Sequence, residues 1–172
     1  MGGLIIGFSM SVRRAGWLRE AAQALGARSL VTAHLVRFVG IYFLWLHAQG
    51  RLPAEFAMRA GWGDVAAATG AVLLLIFWRE TVGFRWLLIA WNLVGAGDLL
   101  LAVGTGGWLN ATRPGSMIEL AGLPLALVPL WLVPVLFSSH LWLIERCLKS
   151  LRGARNQPAA NSGGAGVFTS PL

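Results

Sequence analysis

Residues 86–103 read WLLIAWNLVGAGDLLLAV, eighteen positions with one amide, Asn92, and one ionisable group, Asp98. A helix rises about 1.5 Å per residue, so about 20 apolar residues cross a hydrocarbon core of about 30 Å. A run of this length and polarity reads as a membrane span rather than the buried helix of a soluble domain, and it sets the fold class for the rest of the chain.

Three more stretches have the same character. Residues 30–48, LVTAHLVRFVGIYFLWLHA, are interrupted by His34 and Arg37 and end near His47. Residues 62–78, WGDVAAATGAVLLLIFW, carry Trp at both ends, where amphipathic rings favour the headgroup level. Residues 117–145, MIELAGLPLALVPLWLVPVLFSSHLWLIE, are longer than a bilayer needs and contain Pro124, Pro129 and Pro134. Each proline removes a backbone donor, so this span is expected to be kinked or broken at its entry. The fold class that follows is all-α, an integral membrane bundle of four transmembrane helices, with an N-terminal amphipathic or short apolar helix.

The composition agrees: 172 residues, 56% hydrophobic and 12% charged, against about 25% charged in soluble domains. With 22 Gly outside any G-X-Y period and a single cysteine, Cys147, neither a collagen-like chain nor a disulfide scaffold fits. The formal charge of +7 does not imply a nucleic-acid partner, because no basic groove with interleaved aromatics is visible. Thirteen of the fourteen cations lie between or at the ends of the apolar blocks, where they meet lipid headgroups. The expected partner is therefore the lipid bilayer, with a homo-oligomer or an accessory-subunit role also open.

Residues 1–12, MGGLIIGFSMSV, are too short to span alone, and Arg13 and Arg14 follow the apolar stretch, the wrong order for a cleavable signal. Residues 13–29 carry four Arg with Trp17, Leu18 and Leu25 at helical spacing, which predicts an interfacial amphipathic helix. The chain thus divides into an N-terminal segment 1–29, a transmembrane domain 30–146 and a basic, then disordered, tail 147–172. A cytoplasmic N-terminus places ten cations inside (Arg13, Arg14, Arg19, Arg28, Arg79, Arg85, Arg146, Lys149, Arg152, Arg155) and three outside (Arg51, Arg59, Arg113). By the positive-inside rule both termini are expected in the cytoplasm. Were residues 1–12 part of a fifth span, only the N-terminus would change sides.

Ionisable groups inside a span cost about 2.5 to 3.5 kcal/mol even on permissive insertion scales, so each asks for a partner. Counted inward at about 1.5 Å per residue, His34, Arg37, Asn92 and His140 fall in one layer roughly 6 to 10 Å deep, with Asp98 at about 18 Å. Asp64, His47 and Glu119 are placed near the opposite boundary, where water reaches them. Asp98 is then the sole deep carboxylate, and an Arg37–Asp98 ion pair is expected, either gluing two helices or lining a cavity for an anionic or protonatable ligand. Trp91, Gly95 and Asp98 form an i, i+4, i+7 stripe that would pack the third helix and keep Asp98 from lipid.

Other chemistry is less supported. His34 and His140 are the pair able to offer two imidazoles to a metal or haem iron, but neither an H-x-x-x-H repeat nor several Cys accompanies them, so no metal and no cofactor is expected, haem being the alternative. Gly104, Gly106 and Gly107 are placed outside the membrane and lack the Lys and helix start of a phosphate loop. Ser138 and Ser139 show no base at nucleophile spacing, and Cys147 reads as a lone juxtamembrane thiol.

The run RFVGIYFLWLHAQGRLPAEFAMRAGWGDVAA from Arg37, WNLVGAGDLLLA from Trp91 and LPLALVPLWLVPVLFSSHLW from Leu123 resemble small uncharacterised bacterial inner-membrane proteins. The shared order is an Arg-x-x-Gly helix, a Leu-Pro-x-x-Phe-Ala connection, a Gly-Asp opening the next span, then Trp-Asn and Gly-x-x-Asp-Leu. The resemblance covers about residues 30–145, implies a multi-pass protein of a bacterial inner membrane and assigns no catalytic residue. The short N-terminal apolar stretch is a departure from it. Two functions remain in view. One is a non-enzymatic transport, permeation or accessory component with an internal polar site of His34, Arg37, Asn92, Asp98 and His140. The alternative is a membrane-embedded enzyme or redox protein acting on a lipid or quinone, with haem as its possible cofactor.

Overall fold

The computed structural model describes residues 25–155, and these form a bundle of four helices, each long and apolar enough to cross a membrane. The N-terminal apolar stub and most of the expected amphipathic helix lie outside the described residues; Ala27 to Ser29 already belong to the first span. That span, α1, is Ala27–Ala48, with a tighter 3-10 stretch at His34–Val39. Helix α2 is Ala54–Ile76, α3 is Val82–Thr112, and α4 is Val133–Arg155, entered through a π-helical turn at Val128–Leu132. The chain enters and leaves the bundle at one end, here the near end; the connections 49–53 and 113–127 mark the far end.

Local chemistry sets these limits. Gly50 adopts a positive φ of 68°, available without strain to glycine, and Pro53 at the N-cap lets α2 start at once. The interval between the expected spans 30–48 and 62–78 is therefore mostly helix, and α2 begins at Ala54 instead of near Trp62. Thr81 caps α3 by accepting a hydrogen bond from the Phe84 amide at 3.2 Å. The 31 residues of α3 measure about 46 Å, more than the hydrocarbon core, so this helix tilts or projects beyond it. Gly104, Gly106 and Gly107, expected in a connection, lie within it. Before α4 come a short 3-10 helix at Ile118–Ala121, turns that include Pro124, and the π-helical turn that includes Pro129. Pro134 follows the π-helical turn directly, within one continuous helical run, so its missing N–H leaves a gap in the ladder where the π-helical turn passes into α4. α4 then continues to Arg155, so the basic start of the expected tail is helical, and Cys147 is buried within it.

Packing is layered along the bundle axis. At the near end Leu30, Val31, Ala71, Leu74, Leu88, Leu143 and Cys147 form one apolar cluster. At the far end Phe43, Leu46, Phe56, Ala57, Ala60 and Leu109 form another. Helices α1 and α2 meet most closely at Gly40, where an added Cβ would collide with the Gly61 carbonyl oxygen and lie 2.7 Å from the Asp64 Cβ. The outside of the bundle is apolar, with Val94, Leu87, Ile76 and Trp131 exposed, as a surface facing lipid tails must be.

Candidate functional site

Between the two apolar clusters every helix turns a polar side chain inward. Arg37, on the 3-10 stretch of α1, is 1% exposed. Its Nε donates to Asp64 Oδ1 of α2 at 2.7 Å, its Nη2 donates to Asp98 Oδ2 of α3, and its Nη1 donates to the Gly95 carbonyl at 3.3 Å. One guanidinium thus ties three helices. The expected Arg37–Asp98 pair is present, but Asp98 is not the sole deep carboxylate. Asp64, placed by the sequence near the boundary, lies ten residues into α2, about 15 Å along its axis, and is buried.

The second half of the belt is neutral. Asn92 Nδ2 donates to the Leu88 carbonyl at 2.7 Å, and its Oδ1 lies 2.7 Å from His140 Nδ1. Since that oxygen can only accept, His140 carries its proton on Nδ1, leaving Nε2 as a bare acceptor. Ser139 Oγ donates its one proton to the Leu136 carbonyl at 2.7 Å and lies 2.9 Å from His34 Nε2, so His34 donates to the serine from Nε2. His34 Nδ1 and His140 Nε2 are buried without a protein partner. The two rings are tilted against each other with centroids 4.1 Å apart, and Trp91 packs on both while donating from Nε1 to the Ala67 carbonyl at 3.2 Å. Gly95 makes room for this packing: a Cβ there would lie 2.7 Å from His140 Nε2 and 3.3 Å from Arg37 Nη1.

All five residues expected to form an internal polar site, His34, Arg37, Asn92, Asp98 and His140, enter this belt, together with Asp64, expected at the boundary, Ser139, expected to lack a base, and Trp91, expected to serve packing alone. Ser139 does have an imidazole at hydrogen-bond distance, contrary to the expectation from spacing, because α1 and α4 meet across the bundle. The direction of that bond makes the serine an acceptor from His34, not a nucleophile awaiting its base. Two imidazoles packed ring against ring leave no space between them for a porphyrin plane, so the pair does not fit bis-histidine haem ligation. Among the described residues, no group of three or more His, Cys, Asp or Glu is arranged to hold a metal ion.

The far end carries a different kind of polar contact. Arg51 pairs with Glu119 through Nε at 3.1 Å and Nη2 at 2.6 Å, and Arg113 pairs with Glu55 at 2.8 Å. The hydrogen bond to Glu119 holds the Arg51 guanidinium above its already high ordinary pKa. Glu119 and His47, expected to be merely solvated, are thus engaged; His47 Nδ1 lies 3.0 Å from the Leu52 carbonyl.

Four lipid-facing helices closed round a buried belt of charged and hydrogen-bonding side chains define a multi-pass helical membrane protein. The chain belongs to the family described as domain of unknown function DUF8737, whose model matches residues 1–148. No curated protein and no solved structure matches it.

Proposed function

We propose that the protein is a non-enzymatic component of a bacterial inner membrane, a permeation or transport unit or an accessory subunit, whose belt carries one exchangeable proton. The observation behind this reading is the charge count at Arg37: one buried cation faces two carboxylates, Asp64 and Asp98. With both ionised and the histidines neutral the cluster would hold one uncompensated negative charge in hydrocarbon, a state worth several kcal/mol of penalty. One proton restores neutrality. A second cation on the His34–His140 pair would sit beside Arg37, so the proton belongs on the carboxylates, and Asp98, whose side chain is 20% exposed against 11% for Asp64, is the member able to exchange it.

The ten-to-three distribution of cations supports cytoplasmic termini, although Arg59 now lies on α2 instead of in a connection. Four helices are few for a transporter, which favours a homo-oligomer or a larger partner as the working unit. The test is proton flux. Purified protein in liposomes with a trapped pH dye and a potassium shunt should collapse an imposed pH step faster than protein-free liposomes, and Asp98→Asn should lose that flux while keeping its helical circular dichroism. Equal rates in all three preparations would contradict the proposal.

A further inference from the structure

Asp98 sits where α2 and α3 run antiparallel, against Gly63. A Cβ on Gly63 would collide with the Asp98 carboxyl group, so the carboxylate occupies the notch that the missing side chain leaves. Farther along the same α2–α3 seam, toward the far end, lies a groove of about 470 Å³, lined by Glu55 and Arg59 of α2 and by Leu101, Gly104, Thr105 and Trp108 of α3. Arg59 precedes Gly63 by one turn on α2, and Leu101 and Thr105 follow Asp98 by one and two turns on α3, so the groove and the acid share one pair of helix stripes. The mouth is marked by charges, Glu55 and Arg59, which do not belong against lipid tails.

Resting on the proton reading above, we infer that this α2–α3 groove is the aqueous entrance through which protons from the far side reach Asp98, with Gly63 as its narrowest point. Glu55 to Gly63 spans eight residues, about 12 Å along α2, so a file of few waters bridges the mouth and the acid. The charged and titratable groups facing Asp98 are Arg37 from α1 and Asp64 from α2, with Arg59 and Glu55 of α2 farther up the seam; from α4, His140 packs on Gly95, one turn below Asp98. Gly63 is a position at which a methyl group displaces the Asp98 carboxylate, so Gly63→Ala should slow exchange while both carboxylates and Arg37 are still present.

The test begins with Cys147→Ala, which removes the single native thiol. Single cysteines are then placed at Leu101 and Thr105 in the groove, at Ala111 near the exposed end of α3, and at Leu93, which is exposed on another face of α3. Membrane vesicles receive a membrane-impermeant trimethylammonium methanethiosulfonate. The account expects Thr105→Cys and Leu101→Cys to be labelled from the same face as Ala111→Cys, Leu93→Cys to stay unlabelled, and labelling at Thr105→Cys to cause loss of proton flux. Absence of labelling at both groove positions, with Ala111→Cys labelled, would overturn the groove as an aqueous entrance. Persisting flux after full labelling at Thr105→Cys would also overturn it. Labelling without any flux in the unmodified protein would overturn the proton reading while leaving a wet groove, so the two failures are distinguishable.

Discussion

The molecule contains Arg–carboxylate contacts in two settings, and the difference between them is instructive. At the far end Arg51 meets Glu119 and Arg113 meets Glu55 in simple one-to-one pairs with both cations exposed. In the belt Arg37 is enclosed and shared by Asp64, Asp98 and a backbone carbonyl. The groups are chemically alike, but water surrounds the cations of the first setting and is closed off from the guanidinium of the second, which is 1% exposed. Exposed pairs contribute little because solvent replaces whatever partner is lost. A buried charge has no such replacement, so its partners are fixed by the cost of being without them. Position relative to the bilayer, not the type of contact, separates a surface contact from the organising centre of the bundle.

The largest effect should come from Arg37→Met, which strands two carboxylates in hydrocarbon. Resistance of the purified protein to SDS-induced unfolding should drop by about 3 to 5 kcal/mol, with poor accumulation in membranes. A normal unfolding curve would mean that water reaches the space around the guanidinium. Because Asp64 shares the guanidinium, removing Arg37 and Asp98 together still leaves one carboxylate unpaired. Only the triple replacement with Asp64→Asn and Asp98→Asn should recover much of the loss, which makes the order of recovery a test of three-way coupling.

The next effect belongs to Gly40→Ala. Its methyl group meets backbone of Gly61 and the Asp64 Cβ, so α1 and α2 must separate at the level of the belt, and a loss of about 1 to 3 kcal/mol in the same assay is expected. Smaller again is Asp98→Asn. It leaves a balanced Arg37–Asp64 pair and an amide oxygen able to accept from Nη2, so accumulation should stay close to that of the parent even as flux is lost. Strong destabilisation by this replacement would show that the second carboxylate is needed for stability. The smallest effect is expected at the far end, where Glu119→Gln should leave the unfolding curve unchanged within error.

Much of this arrangement was legible in the sequence. The four apolar runs are unmistakable, and His34, Arg37, Asn92, Asp98 and His140 stand out because ionisable or amide groups within such runs need partners. Asp64 was missed for a geometric reason. The connection before it was read as extending to Gly61, which put Asp64 at the membrane edge. Pro53, a residue suited to a helix start, was the available sign that α2 begins a full two turns earlier. Ser139 was missed because its partner His34 is 105 positions away, a contact that spacing along one helix does not reveal. The direction of the Ser139 and Asn92 hydrogen bonds, and with it the proton positions on both histidines, depends on partners from two helices at once and is not written in any one segment.

The central claim is that Asp64 and Asp98 together hold one proton beside Arg37, and infrared difference spectroscopy tests it most directly. The parent protein should show the carbonyl stretch of a protonated carboxylic acid that shifts in deuterium oxide. Asp98→Asn and Asp64→Asn should each abolish it, since either replacement leaves one carboxylate for one guanidinium. Absence of the band from the parent, or its survival when both carboxylates are replaced, would contradict the account.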